Sequence, residues 1–244
     1  MSLNSYGDSR PMESFRHRHR QQRAFIIGNG PSLHTSDLEK LKGEITFASN
    51  KIYLSFEQTA WRPTYYAVED KLVMTQNYNR IKGLDGFVKF IPRYLNQWVP
   101  AIENAVYFDL KIKNFYPDQP GFSNDAADMI CWGSNVSYTL IQIAAYMGIK
   151  EIYLIGIDHH LTLPDLRDPD DPNILISQGE CNHFHPDYRK PGEKWFVPNL
   201  EVSIRSYEAA REALAAMGGK IYNASRGGKL EVFPRMDFDS VVCG

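Results

Sequence analysis

The chain is poor in the features that mark several large protein classes. It has three cysteines in 244 residues, Cys131, Cys181 and Cys243, widely spaced and with no Cys-x-x-Cys pair. That leaves no zinc framework and no disulfide scaffold, and it fits a reducing compartment. No apolar run approaches the ~20 residues of a membrane-spanning helix, so no integral membrane segment is expected. An excess of positive charge is missing too: 27 Lys and Arg stand against 29 Asp and Glu, a net charge of −2. This argues against a nucleic-acid partner, whose phosphates call for clustered cations. There is no Gly-x-Ser-x-Gly elbow, no Walker lysine and no Gly-x-Gly-x-x-Gly fingerprint. Serine hydrolases, P-loop enzymes and dinucleotide dehydrogenases therefore fall away.

Residues 1–22 hold no apolar segment, and their one dense basic run is Arg16-His17-Arg18-His19-Arg20. They read as a flexible, solvated leader rather than a signal or anchor, with a membrane-surface or phosphate contact as the alternative reading of the basic run. The expected location is the cytoplasm, with peripheral membrane attachment left open.

The most informative stretch is Phe25-Ile26-Ile27-Gly28-Asn29-Gly30-Pro31-Ser32-Leu33. An apolar run fit for a buried strand breaks into Gly-x-Gly-Pro-Ser, and a helix start follows at 35–41. Gly28 and Gly30 allow close approach of a ligand to the backbone, and Pro31 and Ser32 suit a first helical turn whose free N–H groups attract phosphate. A plain strand-to-helix turn is the alternative. Beyond it, β-rich runs at 44–48, 64–68, 87–91, 105–109, 151–155 and 220–222 alternate with helix-period segments, the pattern of a parallel sheet covered by helices. Two helices are explicit. Val136, Leu140, Ile143, Ala144 and Met147 recur at helical spacing between a Ser134 cap and Gly148, and Tyr207, Ala210, Leu214 and Met217 form a second stripe ended by Gly218-Gly219.

The expected fold is α/β and Rossmann-like: a mostly parallel sheet with helices on both faces, in one nucleotide-binding domain over 23–244. Ligands of such sheets bind beyond the carboxyl ends of the strands, where Gly28 to Ser32, Glu69-Asp70 and Gly156 to His160 would share one crevice. One region does not alternate. Residues 158–199 carry six prolines and an acidic cluster, Asp165, Asp168, Asp170 and Asp171. So long an irregular stretch reads as a lid, a reading favoured over disorder by Phe184, Tyr188, Arg189, Lys190 and Trp195.

Chemistry-bearing residues cluster at the same end. His183 and His185 in the lid are candidate general bases, or else structural histidines. Asp158, His159 and His160 with a lid histidine form a weaker metal candidate, since no compact ligand motif is present. Glu69 and Asp70 suit Mg²⁺ on a phosphate or a sugar hydroxyl, while Asp70 also suits a helix cap. Asn50 can read a base or sugar edge or serve as a turn residue. Arg226 and Lys229 offer cations to an anion.

Gly28 to Leu33, Ser49-Asn50 and the run 147–158 resemble bacterial sialyltransferases that use CMP-sialic acid. They are similar as well to the wider group of proteins related to an archaeal 6-hydroxymethyl-dihydropterin diphosphokinase, over about residues 24–234. The sialyltransferase resemblance implies that Gly28, Asn29, Gly30, Ser32 and Asn50 hold a nucleotide sugar. In the same reading Asn135 to Ser137 meet the donor at a helix N-terminus, and Asp158 lines the crevice. It implies an inverting, metal-free transfer of a sialic-acid-like sugar to a surface-glycan acceptor with a histidine as base, no cofactor, and a homo-oligomer. Two departures stand out: His183-Phe184-His185 has shorter spacing than the family's histidines, and Glu69-Asp70 replaces an asparagine. The second resemblance implies a Mg²⁺-dependent diphosphokinase moving pyrophosphate from ATP to a hydroxymethyl group, with Asp70 and Asp158 on the metal. A third expectation is a nucleotide-binding protein without catalysis.

Overall fold

A computed structural model describes residues 11–113 and 116–243 of the chain. Residues 1–10 of the expected leader lie outside the described residues. The strands and helices, in chain order, are β1 (Arg23–Ile27), α1 (Thr35–Lys40), β2 (Ile45–Ser49), β3 (Tyr65–Ala67), α2 (Lys71–Lys82), β4 (Val88–Pro92), β5 (Ala105–Phe108) and β6 (Leu110–Lys111). They continue with β7 (Ile130–Cys131), α3 (Val136–Tyr146), β8 (Glu151–Ile155), β9 (Ile174–Ile176), β10 (Lys194–Phe196), α4 (Leu200–Ala216), β11 (Lys220–Asn223) and α5 (Phe238–Cys243).

Seven strands form one parallel sheet in the order β11-β8-β1-β2-β3-β4-β5. Each half grows outward from β1, so the strand order reverses between β1 and β8. Because side chains alternate across a strand, β1 feeds two cores. Ala24 and Ile26 face the layer built with α3 and α4, and Phe25 and Ile27 face the layer built with α1, α2 and α5. Helices thus cover both faces, and the expected Rossmann-like α/β fold is what the chain adopts.

Helix α3 is buried nearly throughout and starts at Asn135, whose side chain accepts from the Tyr138 N–H at 2.8 Å. Asn135 therefore takes the capping place expected for Ser134, which is set aside by a left-handed φ of 64°. Inside α3, the buried Gln142 holds a neighbouring loop. Its Oε1 accepts from Ser123 and Cys131 N–H at 3.0 Å each, and its Nε2 donates to the Cys131 carbonyl. These bonds fix β7 and the aromatic residue after it, Trp132.

Two expectations need correction. The solvated leader does not extend to residue 22. Met12–Phe15 form a 3-10 turn, Phe15 is fully buried, and its ring meets Phe90 edge-on at 5.2 Å. Arg16 bonds Asp125 and lies 4.9 Å over the Tyr146 ring, and His19 bonds Tyr65 at 2.6 Å. The basic run is a strap in which Arg16 and Arg18 are spent on carboxylate and aromatic partners; two hydrophobic anchors, Met12 and Phe15, were too few to register as periodicity. The region 158–199 is also more regular than its prolines suggest. β9 and β10 pair antiparallel, with Trp195 opposite Leu175. The cover is tied down by Lys51 to Glu193 at 2.7 Å, Gln76 to the Lys194 carbonyl at 2.8 Å and the Phe184 N–H to the Asn29 carbonyl at 3.0 Å.

If the strap is part of the folded domain, Phe15→Ala removes a buried ring and costs about 3–5 kcal/mol. Urea unfolding of the full chain measures this, and a loss below about 1 kcal/mol would show that the strap contributes nothing to the core.

Candidate functional site

The crevice at the strand-order reversal is closed by the chain itself. Asp158, after β8, accepts from the Ser32 hydroxyl at 2.9 Å and the Ser32 N–H at 3.2 Å. The Ser32 N–H, one of those expected to attract phosphate, thus meets an internal carboxylate. Gly30 is required by this contact, since a Cβ there would sit 1.9 Å from Asp158 Oδ2, and one on Gly28 would lie 2.3 Å from the Gly156 carbonyl. The loop after β11 completes the closure: the Lys229 N–H donates to the Asp158 carbonyl at 2.7 Å, and the Ser225 hydroxyl accepts from Ile157 N–H at 3.1 Å. Arg226 is held bidentately by Asp37 at 2.7 and 2.8 Å, with Asp239 as a further partner. The glycine loop, Gly156, Asp158, Arg226 and the Lys229 backbone are thus tied to one another, with Pro31 exposed on the outside. Asn29 and Asn50 stand behind it. Asn29 donates to the Ser49 carbonyl at 3.1 Å, and Asn50, at a left-handed φ of 51°, accepts from the Tyr66 hydroxyl.

A cleft of about 730 Å³ opens instead over the carboxyl ends of β3 to β5, under the β9–β10 hairpin. Of the expected site residues it contains Glu69, Asp70, Ser134 and His183. Its walls are mainly apolar and aromatic: Tyr94 and Trp98 follow β4, Tyr116 and Trp132 come from the segment held by Gln142, and Trp195 comes from β10. Lys71 Nζ lies 4.7 Å over Trp98, at the start of α2. Ser137 is buried beside Tyr207 on α3 and does not line the cleft.

Glu69 is the most perturbed acid of the cleft. It is 7% exposed, and its Oε2 accepts from the Thr139 hydroxyl at 2.5 Å. Burial raises its pKa to about 7, against the lowering effect of that hydrogen bond and with a smaller push from the Asp70 charge. Asp70 is raised as well, chiefly by burial, while its bonds to the α2 N–H groups and the charge of Arg189 act the other way. Its Oδ1 accepts from Val73 N–H at 2.9 Å, so it caps α2, one of the two roles expected of it.

The histidines are corrected. The His183 ring stacks on Tyr188 at 3.7 Å and 7°, and burial, with Arg189 and Lys51 nearby, lowers its pKa to about 2. It stays neutral but is too weakly basic to take a proton near pH 7. His185 lies outside the cleft lining, and its Nδ1 accepts from Asp187 N–H at 3.1 Å to start the turn Pro186–Tyr188. His159 and His160 form no metal centre: among the described residues no group of three His, Cys, Asp or Glu is arranged to hold an ion. The residues that sequence reasoning left out of the site are Tyr94, Trp98, Trp132 and Thr139. Arg189 and Trp195 were visible only as an aromatic and basic flavour of the lid.

A parallel sheet wound outward from a central strand, with an aromatic cleft over its carboxyl ends, defines a Rossmann-like α/β protein. The sequence profile of the family described as 6-hydroxymethylpterin diphosphokinase MptE-like matches residues 2–162, and the chain belongs to that family. No curated protein matches. Among solved structures the fold is similar to that of the MAf glycosyltransferase from Magnetospirillum magneticum AMB-1, at 16% identity and a TM-score of 0.54. The likeness covers 92% of this chain and 35% of that one, so the chain spans about a third of its structural relative. Both names belong to transferases. No described helix is long and apolar enough to cross a membrane.

Glu69 gives the fold a pH signature. Its folded pKa, about 7, lies above the ordinary 4.5, so between these values the folded state binds more protons than the unfolded one and stability falls as pH rises. The loss should approach about 3 kcal/mol between pH 4.5 and 8. Glu69→Gln should flatten this part of the profile, as followed by denaturant midpoints, and an unchanged slope in the variant would place the titration elsewhere.

Proposed function

We propose that the chain is a glycosyltransferase that moves a sugar from a nucleotide donor to a hydroxyl of a glycan acceptor, with Glu69 as the general base. The observation that carries this reading is a buried carboxylate with a pKa of about 7 in the wall of an aromatic cleft. A base is most effective when its pKa lies near the working pH, and burial brings Glu69 there. Thr139 fixes one oxygen, and the other has no hydrogen bond to the described residues. Aromatic faces such as Trp98 and Trp132 suit the apolar face of a sugar ring or the plane of a base.

In the reaction the acceptor hydroxyl gives its proton to Glu69 as its oxygen bonds to the anomeric carbon. The bond from that carbon to the donor phosphate breaks, and its electron pair leaves on the phosphate oxygen. Attack opposite the leaving group inverts the centre. This reading needs no cofactor. A sialic-acid-like donor and a surface-glycan acceptor remain its finer form, supported by the sequence resemblance and by the fold shared with a glycosyltransferase.

A second reading is favoured by the family and by the adjacent carboxylates Glu69 and Asp70 in the cleft: pyrophosphoryl transfer from ATP to a hydroxymethyl group. Mg²⁺ there would neutralise phosphate charge. Glu69 and the second oxygen of Asp70 are the residues to hold it, with phosphate and water oxygens as the other ligands. Asp158, bonded to Ser32 away from the cleft, is not part of that set.

Melting of the protein with CMP, CDP, UDP, GDP and ATP, each with Mg²⁺ or EDTA, separates the two. Stabilisation by a sugar-carrier nucleotide that survives EDTA is expected, whereas a shift only with ATP and Mg²⁺ moves the assignment to the diphosphokinase. With the donor so identified, Glu69→Gln should lower kcat by about 10²- to 10⁴-fold at nearly unchanged donor affinity. Wild-type kcat/KM should rise with pH to a plateau above about 7. Retention of full turnover in the variant would refute Glu69 as base.

A further inference from the structure

Two nitrogen donors in the cleft wall have no partner. Arg189 Nη1 and Trp195 Nε1 are both shielded from solvent and make no hydrogen bond within the protein. Trp195 is 6% exposed, and its indole lies beneath the Arg189 guanidinium, 3.8 Å from ring centroid to carbon. Both residues line the 730 Å³ cleft. A buried indole N–H normally finds an acceptor, and a buried guanidinium without a paired anion is costly. Among the described residues no carboxylate forms an ion pair with Arg189. Asp70, Glu193 and Glu180 act on it through their field only, and burial still lowers its pKa.

The arrangement has the elements of an oxyanion receptor. The guanidinium supplies charge and a planar edge of N–H groups, and stacking on the indole restricts its orientation. The indole N–H adds a neutral donor in the same wall. His183, neutral and stacked on Tyr188, adds no charge. Glu69 and Asp70 line the same cleft, Asp70 close enough to Arg189 to act on it through its charge, so an anion is held only where the cation lies nearer.

We propose that Arg189 and Trp195 form an anion subsite that holds an oxyanion of the substrate, a phosphate or a carboxylate, the two side chains turning on binding to bring the shielded Arg189 Nη1–H and Trp195 Nε1–H into the cleft. This rests on the transferase reading of the cleft and assigns the charged end of its substrate. The cover hairpin then acts as a binding element: Trp195 comes from β10, and Arg189 follows the turn Pro186–Tyr188.

The test is titration of the full chain with inorganic phosphate, inorganic pyrophosphate and acetate at constant ionic strength, by calorimetry and melting temperature. Trp195→Phe keeps an aromatic ring but removes the N–H and part of the indole's buried volume, and Arg189→Lys keeps the charge and removes the planar fork. Each should weaken anion binding roughly tenfold; Arg189→Lys should do so with little change in the melting temperature without anion, while Trp195→Phe also lowers it. Should Trp195→Phe fail to fold, Arg189→Lys alone decides. Binding of the phosphates but not acetate assigns the subsite to a donor phosphate, and binding of acetate as well assigns it to a carboxylate. No binding to the wild type at tens of millimolar, or equal binding to wild type and variants, overturns the proposal. Pyrophosphate held through Arg189 with no nucleotide-sugar turnover would keep this subsite and remove the glycosyltransferase reading. Turnover with anion affinity unmoved in both variants would do the reverse.

Discussion

The bond between Asp158 and Ser32 locks the two central loops of the sheet together. It joins the loops after β1 and β8 at the point where strand order reverses, the place at which open α/β sheets most often receive ligands. A carboxylate placed against a free N–H and a hydroxyl satisfies the donors that an external phosphate would otherwise use. The interlock leaves no room for side chains at Gly28 and Gly30, and it draws the 225–229 loop onto the same carboxylate residue. With that crevice filled from within, the open space lies over β3 to β5, where short strands end in Glu69-Asp70 and the hairpin arches above them.

Desolvation then sets the chemistry of the displaced cleft. The same apolar walls that suit a ring raise Glu69 toward neutrality, hold His183 unprotonated and leave Arg189 without a counter-ion. A mobile surface histidine would have been the natural base in a wet crevice. Burial acts on an acid and a base in opposite directions, so the same walls raise the pKa of the Glu69 carboxyl and lower that of the His183 imidazole. The support for this wall is remote: Gln142, deep in α3, orients the segment that carries Trp132.

Much of the architecture was legible because its signals are local. The strands expected at 44–48, 87–91 and 151–155 appear as β2, β4 and β8 within one residue, since a buried parallel strand must be a short apolar run between turns. The Asn135 cap and the strap at 11–22 were less legible. Caps compete between adjacent polar residues, and the strap depends on Phe15 meeting Phe90, a residue far away in the chain. Of the site, Glu69 and Asp70 were named from their position after a strand. The aromatic walls were not, for Tyr94, Trp98 and Trp132 share no spacing and meet only through the sheet.

The sequence by itself determined the α/β fold and the end of the sheet at which polar residues gather. These follow from periodicity and composition, which the chain carries residue by residue. Only the tertiary structure decided that Ser32 meets Asp158, that His185 caps a turn, and that burial raises the pKa of Glu69 while it lowers that of His183. Each of those outcomes depends on what a polar group finds across space once water is removed, and desolvation is a property of the packed neighbourhood, not of the residue.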